Sequence, residues 1–512
     1  MKNFTLFFTF VFSIIVLTAN AQVLEKDSLA LVDLYNSTSG ASWKTKTNWL
    51  SGNVSTWYGI YLTGNRVNKI KLSSNTLNGV LPNSFGDLDA ITYIDIHSNI
   101  ISGALPESFG NLINLNYLHI GSNSIDSIPA SFGNLSSLAT AYLFYNDIKT
   151  LPDTIRHLSN LTTFQINSNL ITEFPYWIGS MPQLFNVDFS YNSFNTSFPD
   201  TLYNLPNLLV IGLRNCGISG SLNSNVANWP AMVNLYFDDN DMSGVIPSEI
   251  GNLTDLQNLW LNGNNFTDSI PVSINNCSVL EKLRLADNDF DGLPNITALT
   301  SLTELTTENN LFTFEDFEPN MGMALTTFTY SPQDSVYKTS YPVIKSGDSL
   351  VLTAKIGGTA NQYQWYKDGS AIVGATNFIY KISNAAPGVE GTYTCEITNT
   401  TVSALTIHRR PAFVDYFDPT NIVENNFMQG IKIIQNPVEN GLLTIHFLNE
   451  ISNASNISIV NSIGQQLYSQ TLKNIHSNFS QIIDVSKLTN GLYTVVIQNG
   501  DRKCFAKVVL EK

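Results

Sequence analysis

Leu256-Gln257-Asn258-Leu259-Trp260-Leu261-Asn262-Gly263-Asn264 reads apolar-x-x-apolar-x-apolar-x-x-Asn, and the same spacing recurs on both sides of it. One copy downstream is Leu280, Leu283, Leu285, Asn288, and one upstream is Met232, Leu235, Phe237, Asn240. Further upstream come Leu208, Ile211, Leu213 with Cys216 in the Asn place, then Leu184, Val187, Phe189, Asn192, and Leu161, Phe164, Ile166, Asn169. Before these lie Leu138, Ala141, Leu143, Asn146; Leu115, Leu118, Ile120, Asn123; Ile91, Ile94, Ile96, Asn99; and Val67, Ile70, Leu72, Asn75. A weaker last copy is Leu302, Leu305, Thr307, Asn310, and successive copies start 22 to 24 residues apart. Apolar-x-apolar is a short strand with alternate side chains buried. The Asn turns the chain, and its amide can satisfy buried backbone groups of the neighbouring coil. Cys216 then reads as a buried structural thiol. One copy cannot bury its apolar face, whereas stacking buries all of them together, so the pattern predicts a solenoid.

This period is that of leucine-rich repeats. The second half of each copy carries Gly-x-apolar-Pro, as in Gly79-Val80-Leu81-Pro82, Gly103-Ala104-Leu105-Pro106 and Gly244-Val245-Ile246-Pro247, and it resembles the plant-type subfamily. Pro removes a donor and keeps the backbone extended, so this side is not a regular helix. Repeats three to six lack the Gly and are a residue shorter in places (Ile128-Pro129, Leu151-Pro152). About eleven repeats are expected over 67–314, with an N-terminal cap over 22–66 and a C-terminal cap or linker over 315–333. In the cap, Leu31, Leu34 and Tyr35 have helical spacing, with Asp27 or Ser28 as the N-cap and Gly40 past the end. Trp43, Trp49 and Trp57 are expected as cap core. The segment resembles the N-terminal cap of such proteins but lacks the cysteine pair usual in plants.

Downstream the text changes to period two. Ser349–Ala354, Gln364-Trp365-Tyr366-Lys367-Asp368-Gly369 and Gly391-Thr392-Tyr393-Thr394-Cys395 read as strands. The Trp and the Tyr-x-Cys resemble an immunoglobulin-like domain, expected over 334–412. The partner cysteine would fall near Ala354, so Cys395 is expected as a lone buried thiol. A linker over 413–426 leads to a string of short alternating strands over 427–512. Asn436-Pro437, the Gly464 turn after Ile463, Leu488-x-x-Gly491-x-Tyr493 and the closing lysine resemble the C-terminal sorting domain of the bacterial type IX (Por) secretion pathway. That resemblance implies a Bacteroidetes-type source and partnership with the type IX machinery. The expected fold class is therefore an α/β-type leucine-rich-repeat solenoid, mainly β and irregular, followed by two all-β sandwich domains.

Lys2, the apolar stretch Phe4 to Leu17 and Ala19-Asn20-Ala21 read as a signal peptide over 1–21. The protein is expected to be secreted or held on the outer cell surface. In a chain of 512 residues, 26 Lys and Arg against 41 Asp and Glu give a net charge of −15, which argues against a nucleic-acid partner. The four cysteines, Cys216, Cys277, Cys395 and Cys504, have no CxxC spacing, so zinc and dithiol chemistry are not indicated and no disulfide is expected.

No HExxH, GxSxG or P-loop is present, and no catalytic residue, cofactor or metal is assigned. His97 and His119, one repeat apart near Asp95, are read as exposed surface histidines rather than a metal or general-base site. Asp238, Asp239, Asn262 and Asp287 are read as solvated loop residues rather than a calcium site. Binding is better supported. Residues flanking the buried pair face the concave side. Along that side stand Tyr93, Tyr117, Tyr142, Phe144, Asp188, Arg214, Tyr236, Asp238, Trp260, Asn262 and Arg284, and exposed aromatics with Arg are what interaction hot spots are made of. These residues are expected to bind a protein or peptide ligand, in recognition or adhesion. A glycan is the alternative, because rings beside Asn and Asp suit sugar faces and hydroxyls.

Overall fold

The computed structural model describes residues 23–417, 431–434, 436–438, 440–451, 454–461, 464–473, 475–499 and 502–511. The expected signal peptide (1–21), residues 418–426 of the expected linker, and Ile463 lie outside them. Two compact units are present. The described residues of the first fall within 23–267, 271–288 and 298–305, and those of the second within 268–270, 289–297 and 306–511.

In the first unit each LxL becomes a short strand. Neighbouring strands pair in parallel from Arg66–Lys71 through Tyr93–Asp95 and onward to Lys282–Arg284. The central residue of each strand, such as Ile94, Leu118, Phe164 or Leu259, is buried. Each such side chain contributes about 1.5–3 kcal/mol by leaving water.

The Asn of each repeat does what the spacing predicts. Asn240 Nδ2 donates to the carbonyls of Leu213, Phe237 and Asp238, and its Oδ1 accepts from the N–H of Cys216 and Ile218. Cys216 makes only weak thiol contacts to the carbonyls of Phe189 and Arg214, and burial pushes its thiol up to about 12. The residue before each Asn takes a left-handed conformation, for example Ser98 (φ 55°), Tyr145 (φ 52°) and Asp239 (φ 58°). On the opposite side, Pro82, Pro106 and Pro129 each precede a 3-10 turn, and Phe85, Phe109 and Phe132 stack at 5.9 and 6.2 Å.

The cap helix spans Glu25–Ser37, and Trp43, Trp49 and Trp57 are buried beside it. Neither Asp27 nor Ser28 caps it; the N-cap is Leu24. Asp27 is instead fully buried, taking hydrogen bonds from Arg66 Nε (3.1 Å) and the Val67 N–H (2.7 Å). A buried carboxylate needs such a partner more than a helix end needs a cap. The strand Ile60–Thr63 then pairs antiparallel with Arg66–Lys71.

In the second unit, the segment expected as C-terminal cap or linker contains ordered capping elements. A short helix Phe314–Phe317 and a 3-10 turn Glu318–Asn320 follow the last repeat. Asp316 and Asn320 accept from the N–H groups of Leu293 and Ile296. Gln333 continues the Asn ladder: its Oε1 accepts from Asn310 N–H and its Nε2 donates to Thr307 O. Downstream, the five-stranded sheet of Val343–Lys345, Thr406–Phe417, Gly391–Asn399, Asn361–Lys367 and Ser370–Ala371 accompanies a two-stranded sheet, Leu350–Thr353 with Ile379–Ile382. Trp365 is buried in register with the free thiol of Cys395, and Tyr393 Oη donates to Val389 O at 2.7 Å. These are immunoglobulin-like features. The strand Thr406–Phe417 runs on into the segment expected as linker from 413, because Asp415–Phe417 pairs with Val343–Lys345. The C-terminal region folds as a three-stranded and a four-stranded sheet around Leu443, Ile445, Ile457, Val495 and Ile497. Asn436 ties its opening to the last strand, accepting from Val509 N–H and donating to Lys507 O.

Candidate functional site

Parallel register stacks equivalent side chains along the strand face of the first unit, and two patches result. In the N-terminal patch, Tyr93 and Tyr117 are register neighbours whose rings lie parallel with centroids 4.4 Å apart. The ammonium groups of Lys69 and Lys71 lie 5.0 and 5.2 Å from the Tyr93 ring centre. Tyr142 meets Tyr117 edge-on at 5.8 Å, and Phe144 tilts against His119 at 5.3 Å. Gly121 makes room for Phe144, since a Cβ there would lie 2.8 Å from the Phe144 ring.

His97 and His119 stack at 4.1 Å, and His97 Nδ1 donates to Asp95 Oδ1 at 2.6 Å. His119 is not the exposed histidine expected from sequence. Its side chain is 16% exposed, wedged among rings, and its Nε2 is closed to solvent without a protein partner. Burial, reinforced by His97 and opposed by Asp95, pushes its imidazole down to about 4. Burial and the neighbouring Tyr93 raise the Tyr117 phenol, which stays protonated.

The C-terminal patch is built from rings and guanidinium groups. Arg284 lies 3.7 Å from the Trp260 ring centre, and Arg214 lies 4.4 Å from Trp260 and 4.1 Å from Tyr236. Tyr236 meets Trp260 at 4.8 Å with an interplanar angle of 65°. Arg284 Nε donates to Glu304 Oε1 at 2.6 Å, and Lys282 lies 3.8 Å from the same carboxylate. Arg214 Nε and Asp238 Oδ1 form an ion pair at 3.3 Å, too poorly aligned to be a hydrogen bond. Burial raises the Asp238 carboxyl, and Arg214 opposes the rise. Asp188 fills space that Gly212 leaves open and accepts from Ser190 N–H at 3.0 Å. Trp260 Nε1 and Asn262 Oδ1 are closed to solvent with no hydrogen-bond partner among the described residues.

The structure therefore brings Tyr93, Tyr117, Tyr142 and Phe144 together, and Arg214, Tyr236, Asp238, Trp260 and Arg284 together. Asp188 and Asn262 stand at the edge of the second group. Lys69, Tyr145, Lys282 and Glu304 belong to these patches and were not singled out from sequence. Tyr145 is exposed and meets Phe144 edge-on at 6.0 Å. Its signal was available, because the place before the Asn is Ser in several repeats and Tyr at 145. Glu304 was recoverable as the carboxylate one repeat after Lys282 and Arg284. Among the described residues, the His and carboxylate groups that gather as possible metal donors are Asp95, His97 and His119, not the Asp238 set.

Residues 102–232 match the model of a leucine-rich repeat region, and 90–112 and 255–277 match single leucine-rich repeats. Residues 432–511 match a secretion system C-terminal sorting domain. The protein thus carries leucine-rich repeats and ends in a sorting domain of the type IX pathway, by which it is exported to the cell surface or the medium. No curated protein matches the chain in sequence. Among solved structures, a TDR receptor is similar at 26% identity, covering 54% of this chain and 48% of that one with a TM-score of 0.49. The plant peptide hormone receptor RGFR1 in complex with RGF2 is similar at 25% identity, covering 54% and 53% with a TM-score of 0.47. A leucine-rich-repeat protein of Leptospira interrogans is similar at 24% identity, covering 51% and 67% with a TM-score of 0.44. The chain spans about half the length of the two receptors.

Proposed function

We propose that this is a non-catalytic recognition protein of the cell surface or medium, whose strand face binds a protein or peptide ligand at Arg214, Tyr236, Trp260 and Arg284. The observation that carries this reading is the stacking of Trp260 with Arg214 and Arg284, which come from repeats on either side of it. The two arginine side chains, 24% and 30% exposed, are held in place by the rings and by Asp238 and Glu304. Pre-organised Arg forks pair with carboxylates through two parallel hydrogen bonds, so an acidic side chain or chain terminus is the anchor they suit. The same stacking favours a peptide over a glycan at this patch, because the guanidinium groups cover ring surface that a sugar would need. Asp188 and Asn262 would border the bound chain. In the same proposal residues 334–412 act as a spacer or second contact.

The test is selection of a displayed random-peptide library on the full-length protein, counter-selected against the Tyr236→Ala/Trp260→Ala/Arg284→Ala variant. Carboxylate-bearing peptides retained by the unaltered protein alone are the expected result. Equal retention by both proteins, or binding confined to a glycan array, would overturn the assignment.

A further inference from the structure

Asp95, His97 and His119 each place one donor atom within 4.8 Å of the others. Asp95 and His97 flank the buried Ile96 on one repeat, and His119 stands in register beside Asp95 on the next. Asp95 Oδ1 is 2.6 Å from His97 Nδ1 and 3.7 Å from His119 Nδ1. Two donors bonded to one zinc ion at about 2.1 Å in tetrahedral geometry lie about 3.4 Å apart. The observed spacings bracket that value, and a turn of the His97 ring out of its stack on His119 would let both lone pairs meet one ion.

His119 is also held in place. The two imidazoles stack at 4.1 Å, and Tyr142 and Phe144 pack on His119 at 5.2 and 5.3 Å. Lys71, the register neighbour of Asp95, carries its ammonium beside the Tyr93 ring instead of onto this carboxylate. His119 has an unresolved tautomer problem that a cation solves. With its proton on Nδ1, the Nε2 lone pair is buried without a donor. With its proton on Nε2, the Nδ1 lone pair faces the Asp95 carboxylate, and aromatic rings can receive the N–H. A cation between Nδ1 and the carboxylate turns that repulsion into two bonds.

We propose that Asp95, His97 and His119 bind one divalent transition-metal ion of the zinc class on the strand face. Imidazole with carboxylate suits zinc, nickel or copper better than calcium or magnesium, which prefer all-oxygen sites. Three protein donors leave a position open. That position can take a donor from a second molecule, at the end of the face remote from Arg214 and Arg284 in sequence.

Full-length protein, stripped with chelator, would be titrated with zinc chloride in a calorimeter, with cobalt(II) absorption as a second readout. Saturable uptake of one ion per chain is expected. The His97→Ala/His119→Ala variant should bind at least ~10-fold more weakly and lose the cobalt bands. His157→Ala, at an exposed histidine on the opposite side of the repeats, should change nothing. Should the double variant fail to melt cooperatively, the single His97→Gln carries the same expectation. Absence of one-to-one uptake, or uptake unchanged in the histidine variants, would overturn the proposal.

Discussion

Tyr93 and Tyr117 lie ring on ring at 4.4 Å, whereas Trp260 meets guanidinium groups at 3.7 and 4.4 Å from the repeats around it. Both patches stand on the same backbone. Asn99 Nδ2 donates to the carbonyls of Leu72, Ile96 and His97, and its Oδ1 accepts from Asn75 and Leu77 N–H. Asn240 makes the corresponding five bonds beneath the second patch. The scaffold is thus indifferent to what it displays, and chemistry is set by which residues occupy two or three outward columns. One end is aromatic, edged by Lys69 and Lys71, and centred on histidine. The other alternates rings with arginines that Asp238 and Glu304 pin.

The largest expected effect tests the shared scaffold. Asn99→Ala and Asn240→Ala should each cost about 4 kcal/mol, since each strands two buried N–H groups and loses three donated bonds. Chemical denaturation of the repeat region should give similar losses. A large inequality would mean that the patches, not the ladder, set local stability.

Acid should separate the two ends. His119 titrates near 4 in the fold against 6.5 ordinarily. Between those values the unfolded chain holds more protons than the folded one. Its contribution is therefore complete above about pH 6.5 and falls by as much as about 3 kcal/mol as pH drops to 4. Asp238 has the opposite sign: its raised carboxyl favours the fold at low pH and loses that advantage as pH rises through its folded value. Amide exchange with chelator present should show the repeats around His119 loosening in acid, and His119→Gln should remove that slope.

Salt gives a smaller contrast. Arg284→Ala should cost about 1 kcal/mol at low ionic strength and less in 1 M salt, where the Glu304 pair is screened. Tyr117→Leu should show no such salt dependence. Smallest of all, Lys69→Gln should change thermal stability by about 0.5 kcal/mol, the scale of an exposed cation–aromatic contact.

Features written once per repeat were legible in the sequence. The strands, the Asn ladder and the outward columns follow from a spacing repeated from Val67 to Asn310. Tyr236, Trp260 and Arg284 were aligned by column alone. What could not be read were partnerships across columns or across long separations. Arg214 reaches Trp260 from a neighbouring column two repeats away. Asp27 resembles a helix cap until its partner Arg66, 39 residues on, is placed. Gln333 serves the ladder without the leucine spacing that would announce it. His119 sits at an outward position, yet Tyr142 and Phe144 close over it. The strand Thr406–Phe417 outlasts its expected end because its pairing partner, Val343–Lys345, lies far upstream.

Recognition of a peptide at the arginine-flanked end of the strand face can be checked by one affinity comparison. A selected carboxylate-bearing peptide would be titrated into the unaltered protein, the Trp260→Ala/Arg284→Ala variant and the Tyr117→Ala variant. A loss of at least ~2 kcal/mol, about 30-fold in Kd, is expected in the Trp260/Arg284 variant and no change in the Tyr117 variant. Equal affinity in all three proteins, or a loss confined to Tyr117→Ala, would contradict it.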